Sequence, residues 1–127
     1  NWRQKFMWIA AAGPASNLVI AVVASVILRI VALGDLELSP AAAATSQLTS
    51  LLETTVIMNI LLAVFNMVPV PPLDGGNVLS GLLRGAAADT FNRLRPYGFM
   101  ILYGLMFTGT LTTIITPPAR FLLSWLL

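Results

Sequence analysis

At 127 residues, with 57% hydrophobic side chains, only 9% charged ones and a mean hydropathy of +0.87, the chain is too apolar for a soluble single domain and reads as an all-α, polytopic membrane protein. Seven Lys and Arg against five Asp and Glu give a net charge of +2, spread too thinly over the chain to make a nucleic-acid-binding patch. There is no cysteine and no histidine, which excludes disulfides and thiolate metal sites and removes the commonest metal ligand and general base.

A helix needs about 20 apolar residues to cross the hydrocarbon of a bilayer. Three charge-free windows have that length: Met7 to Leu28, Thr54 to Leu73 and Pro96 to Ala119. Three spans are expected, over about 7–33, 48–68 and 96–117.

Asn1 to Phe6 carries Arg3 and Lys5, a basic collar of the cytoplasmic kind. The apolar stretch behind it is longer than a signal-peptide core, and its small residues come at the beginning, so it reads as a span. Within it lies Ala11-Ala12-Gly13-Pro14-Ala15-Ser16-Asn17. Gly13 and Pro14 are positioned to kink the helix or mark its start, and Asn17 is an amide at membrane depth that needs a partner. Two readings fit: a helix–helix contact patch, or a structural joint beside an active site. Arg29, near the far end, is expected to snorkel to the interface. Gly34 to Gln47 is a loop with Asp35, Glu37 and Pro40 and no Lys or Arg, which places it on the non-cytoplasmic side.

The second span returns over 48–68. Glu53 lies close to the loop, as an interfacial carboxylate. Asn59 and Asn66 are seven residues apart, two helical turns, and share one face, marking either a polar interior seam or amides that hold helices together. Pro69, Pro71 and Pro72 then strip the backbone of donors and stop the helix. Irregular backbone at membrane depth is tolerated only where protein or a water-filled cavity surrounds it. A carboxylate there costs about 2.5–3.5 kcal/mol on insertion scales. Asp74, followed by Gly75 and Gly76, therefore marks a functional cavity or the membrane edge.

A short helix is expected over about 76–85, then a polar link with Asp89, Asn92, Arg93 and Arg95. Arg84, Arg93 and Arg95 join Arg3 and Lys5 on the cytoplasmic side. The third span holds Gly98, Gly104 and Gly109 as close-packing points and ends at Pro117-Pro118. An apolar tail, 119–127, is read as an interfacial helix or a last turn.

Gly13-Pro14-Ala15-Ser16-Asn17 in one span, with Asn66 to Gly76 at the end of the next, resembles the site-two protease family of intramembrane zinc metalloproteases, in particular the C-terminal part of a short bacterial member without a PDZ domain. The likeness runs over essentially the whole chain. It implies that Asp74 is a ligand of a catalytic zinc, and that Asn66 lies by the scissile carbonyl to steady an oxyanion. Pro69, Pro71 and Gly75, with Gly13, Pro14, Asn17 and Asn59, would then form the structural and substrate-side loop. It implies substrates that are transmembrane proteins cleaved in or near their spans, in a bacterial inner membrane.

One departure is large. The family's other zinc ligands and general base come from a His-Glu-x-x-His helix, and this chain has no histidine. Its 127 residues are expected to be inactive alone. The start, without an initiator methionine, reads as that of a fragment whose partner segment with His-Glu-x-x-His lies upstream. A smaller departure is Asn77, where relatives often carry arginine. The alternatives are a non-catalytic relative that binds transmembrane partners, or a piece of a transporter.

Overall fold

The computed structural model describes residues 2–34 and 42–127. Of the loop expected over Gly34 to Gln47, the part with Asp35, Glu37 and Pro40 lies outside the described residues, while Ala42 to Gln47 are not loop but the first turns of α2, a stretch of small residues compatible with a helix. The described chain is helical, without strands: α1 (Trp2–Gly34), α2 (Ala42–Asn66), α3 (Asp74–Leu82), α4 (Ala86–Leu94), a 3-10 turn (Arg95–Tyr97), α5 (Gly98–Phe107) and α6 (Thr110–Leu126). Helices α1 and α2 are each long and apolar enough to cross a membrane. The pair 86–107 and 110–126 makes a third crossing only if it counts as one span bent by 79°. Large apolar side chains are exposed along these helices, as lipid-facing surfaces require, among them Ile9, Val19, Ile30, Leu51 and Met58.

Helix α1 runs through Gly13 and Pro14 without a break. A proline inside a helix removes one backbone hydrogen bond, here the one that the Ala10 carbonyl would accept. In the same turn Ser16 Oγ donates to the Ala12 carbonyl at 2.7 Å. The buried positions of α1 are Ala10, Pro14, Ala21, Ala24 and Ser25, a seam of small side chains along one side of the helix that lets backbones approach closely. Ala21 and Ala24 pack with the fully buried Val56 and Ile60 of α2 and with Ala119 of α6, so the main core sits where three helices meet.

The third span departs from its expected form. Its break is at Gly109, not at Pro117-Pro118. Gly109 has φ 76°, a left-handed conformation that glycine adopts without strain and that often ends a helix. Thr108 Oγ1 donates to the Gly104 carbonyl at 2.8 Å beside it. Helix α6 then continues through Pro117 and Pro118, where Thr116 Oγ1 donates to the Thr112 carbonyl.

Residues 119–127 are accordingly no separate interfacial tail. They are the end of α6, docked on α1: Ser25 Oγ donates to the Leu126 carbonyl at 2.5 Å and Arg29 Nη2 to the Trp125 carbonyl at 2.8 Å. These side chains, one turn apart, satisfy carbonyls that a helix end leaves unpaired. The short helix also starts earlier than expected, at Asp74, and the polar link is itself the helix α4, of which only Ala88 is buried.

Of the three glycines read as close-packing points, Gly98 alone has a close neighbour. A β-carbon there would overlap the Pro71 carbonyl, while one at Gly104 or Gly109 would meet nothing within 4 Å. Gly98→Ala is expected to lower stability by about 1–3 kcal/mol, the range of an overpacked core. Gly104→Ala should raise it by about 0.5–1 kcal/mol through helix propensity. Thermal unfolding of the two variants in detergent checks the opposite signs.

Candidate functional site

The link between α2 and α3, residues 67–73, is the only non-helical stretch between those two helices, and its composition explains how it persists. Prolines 69, 71 and 72 carry no N–H. The four remaining donors are all used: Met67 to the Ala63 and Val64 carbonyls, Val68 to Phe65, Val70 to Val68 at 2.8 Å and Leu73 to Val70 at 2.9 Å. A link with every donor satisfied can lie at membrane depth. The Pro71–Pro72 peptide is cis. Val68 and Leu73 are buried with Leu102 of α5 and Leu111 of α6, which fastens both ends of the link to the second half of the chain.

Asp74 is the first residue of α3 and is half-buried. A carboxylate in the first turn is favoured by the helix dipole. What fixes its position is the pair of glycines behind it. A β-carbon on Gly75 would overlap the carbonyl carbon and oxygen of Met67 and come within 2.5 Å of the Val68 carbonyl, and one on Gly76 would stand 2.6 Å from the Pro71 nitrogen. The start of α3 is thus pressed backbone to backbone on the proline link. Because Met67 touches Gly75, their chain neighbours Asn66 and Asp74 are brought to the same corner.

On the other side lies α1. A β-carbon on Gly13 would be 2.9 Å from Asp74 Oδ2, so the carboxylate rests directly over the Gly13 backbone. Seven residues on, Gly81 faces Met7 in the same way, at 2.7 Å from Met7 Cβ. Helix α3 therefore lies antiparallel along the first half of α1. Gly13 is eight residues, about 12 Å of helix axis, beyond Lys5. The carboxylate thus lies beside the apolar part of α1, inside the charge-free stretch that begins after Lys5.

Pro14 is buried and, with Leu18, lines an apolar cavity of about 310 Å³ together with Met67, Val68 and Pro69. The two motifs, far apart in sequence, thus meet. Asn17 and Asn66 are half-buried, and their amides bond to no other described residue. Asn59 is different: its Nδ2 donates to the Thr55 carbonyl of its own helix at 2.8 Å, and it lies about 10 Å of helix axis from Asn66. Its amide is held by its own helix and crosses to no other.

Gly76 is not among the site residues expected from the sequence, yet like Gly75 it is pressed on the link. The adjacency of two glycines after an aspartate is the available signal.

The donor set decides what the corner can hold. Catalytic zinc takes three protein ligands and keeps one open position. Among the described residues no group of three His, Cys, Asp or Glu comes together, and Asp74 is the lone carboxylate at the corner. The residues of this chain do not by themselves fit a zinc centre.

What the corner defines is a membrane-embedded helical protein with one carboxylate at a proline-broken helix junction. Residues 29–109 match peptidase family M50, and the chain belongs to that family. The match contains the proline link and Asp74 but begins beyond Gly13 to Asn17. The chain is 27% identical over 109 residues to "Putative zinc metalloprotease YwhC" of Bacillus subtilis (strain 168), covering 86% of this chain and 49% of that protein. It is 35% identical over 80 residues to "Putative zinc metalloprotease CPE1693" of Clostridium perfringens (strain 13 / Type A), covering 59% of this chain and 24% of that protein. The chain thus spans half or less of the length of these relatives. No solved structure gives a significant match.

Two substitutions separate backbone contact from side-chain contact at this corner. Gly75→Ala sets a β-carbon against backbone that cannot give way and is expected to lower stability by about 1–3 kcal/mol. Gly13→Ala meets only the tip of a side chain that can rotate, so stability should stay within about 0.5 kcal/mol while the Asp74 carboxylate moves off α1. Denaturation in detergent, with a structure of Gly13→Ala, tests both.

Proposed function

We propose that this chain supplies the aspartate-bearing part of a zinc-dependent intramembrane endopeptidase that cleaves membrane proteins in or near their spans, in a bacterial inner membrane. The single observation that carries the proposal is the seating of Asp74: a half-buried carboxylate on the Gly13 backbone of a membrane-spanning helix, at the end of a link held by glycine contacts, in a chain of peptidase family M50. Holding a charge beside a span costs free energy, and an inert scaffold gains nothing from it.

In this reading Asp74 is one zinc ligand, and the others come from a His-Glu-x-x-His segment outside these residues. The open edge of α1 suits such a partner. Ala12, Gly13, Ala15 and Ser16 are all small and exposed, so a further helix can approach Asp74 closely there. The metal, when bound, would supply Lewis acidity at the peptide carbonyl. The residues of this chain hold and orient: Gly75 and Gly76 fix the carboxylate, and Gly13 leaves room for Oδ2. The Asn66 amide, free of other bonds, is available to a carbonyl oxygen of substrate. The apolar cavity beside Pro14 and Pro69 keeps the corner dry.

A second reading is favoured by one observation, the lone carboxylate: a membrane-embedded relative that binds transmembrane partners without cutting them. Zinc content separates the two. In the full-length protein, Asp74→Ala is expected to abolish cleavage of a transmembrane substrate and to lower zinc below one per chain, with membrane insertion intact. Undiminished cleavage would remove Asp74 from the ligand set, and a wild-type protein without zinc or cleavage would establish the second reading. Asn66→Ala should lower kcat about 10²–10³-fold, the effect of removing an oxyanion donor, with zinc retained. Loss of zinc in that variant would make Asn66 a residue of the metal shell instead.

A further inference from the structure

Away from Asp74, the start of α1 and the far part of α3 enclose a second cavity, of about 320 Å³, with the 3-10 turn as its third wall. We propose that it holds the phosphate of an anionic phospholipid headgroup, a site that does not depend on the protease reading. Arg3 and Arg95, 92 residues apart in sequence, both line it, with Asn77, Ser80 and Asn92 as further hydrogen-bonding groups. No carboxylate is among the described lining residues. A guanidinium offers a fixed fork of donors suited to phosphate oxygens, and two of them with neutral amides and a hydroxyl form a site selective for a single anionic group.

The Arg95 guanidinium is already oriented, since its Nη2 donates to Ser80 Oγ at 2.9 Å. Arg3 lies over the Trp2 ring at 5.8 Å. The Arg95 bond uses one of the five N–H donors that a guanidinium carries.

The level of the cavity selects a lipid over a soluble anion. Phe6 to Leu28 is free of charge, so Trp2 to Lys5 stand at one boundary of the hydrocarbon. Trp2 and Trp8 are exposed there, as in the aromatic belts of membrane proteins. The wall of the cavity is therefore level with lipid phosphates, and basic pockets between helices at this level bind anionic headgroups. A smaller cavity of about 250 Å³, lined by Pro71, Pro72 and Phe99, shares Asn77 and Arg95 with it. That apolar extension lies where the rest of a lipid would continue.

The test uses the full-length protein, delipidated in nonionic detergent and analysed by native mass spectrometry after addition of phosphatidylglycerol or phosphatidylcholine at equal concentration. One phosphatidylglycerol per chain should be retained at least about five-fold over phosphatidylcholine. Arg95→Gln should lower that retention about five-fold, the factor for one interfacial arginine, and leave phosphatidylcholine unchanged. Asn92→Asp, on the exposed α4 surface, sets a carboxylate in the lining while leaving both arginines in the chain, and should show the same selective loss. Arg120→Gln on α6, remote from the cavity, should change nothing. Equal retention of the two lipids, or an equal loss with Arg120→Gln, would overturn the site. Binding of inorganic phosphate as tight as that of phosphatidylglycerol would overturn its assignment to lipid.

Discussion

The contact of two glycines with the backbone of the proline link is what the rest of the structure depends on. Residues 67–73 cannot be helical, and unpaired peptide groups in hydrocarbon cost several kcal/mol each. The link answers the first difficulty by bonding all four of its N–H groups locally. It answers the second by lying against protein on two sides, Gly75 of α3 and Gly98 of α5. Because a side chain at either place would strike backbone, the two contacts define where α3 and α5 begin. The position of Asp74 follows from the first of them.

Prolines act oppositely in different parts of this chain. Pro14 in α1 and Pro117-Pro118 in α6 sit inside continuous helices, while Pro69, Pro71 and Pro72 end one. The difference lies in number and packing. Helix α1 carries one proline and α6 one Pro-Pro pair, and both helices are pinned by packing at Ala21 and Ala119. After Asn66 the three prolines fall within four positions, and each also pushes its predecessor out of the helical region. There the extended conformation is the cheaper one.

The carboxylate and the basic cavity use the same short helix for two purposes. Asp74 stands at its beginning, and Ser80, two turns later, lines the cavity with Arg3 and Arg95. Helix α3 runs antiparallel to α1, with close approaches at Gly13 and at Gly81.

The sequence by itself determined the class, the membrane setting, the helix break after Asn66 and the singular status of Asp74, because each rests on local chemistry: runs of apolar residues, clustered prolines, a charge without a counterpart. The family resemblance rested on the same local motifs, and the match to peptidase family M50 upholds it. Pro117-Pro118 does not end a helix, because packing against neighbouring helices offsets the effect of proline. A left-handed glycine at position 109, which no local pattern distinguishes from Gly104, sets the bend instead. Only the tertiary structure decided that Gly13 lies under Asp74, that Ser25 and Arg29 cap α6, and that Arg3 and Arg95 line one cavity. Those contacts join residues far apart in the chain, and they exist because close packing of helices, rather than any single segment's preference, fixes which backbones touch.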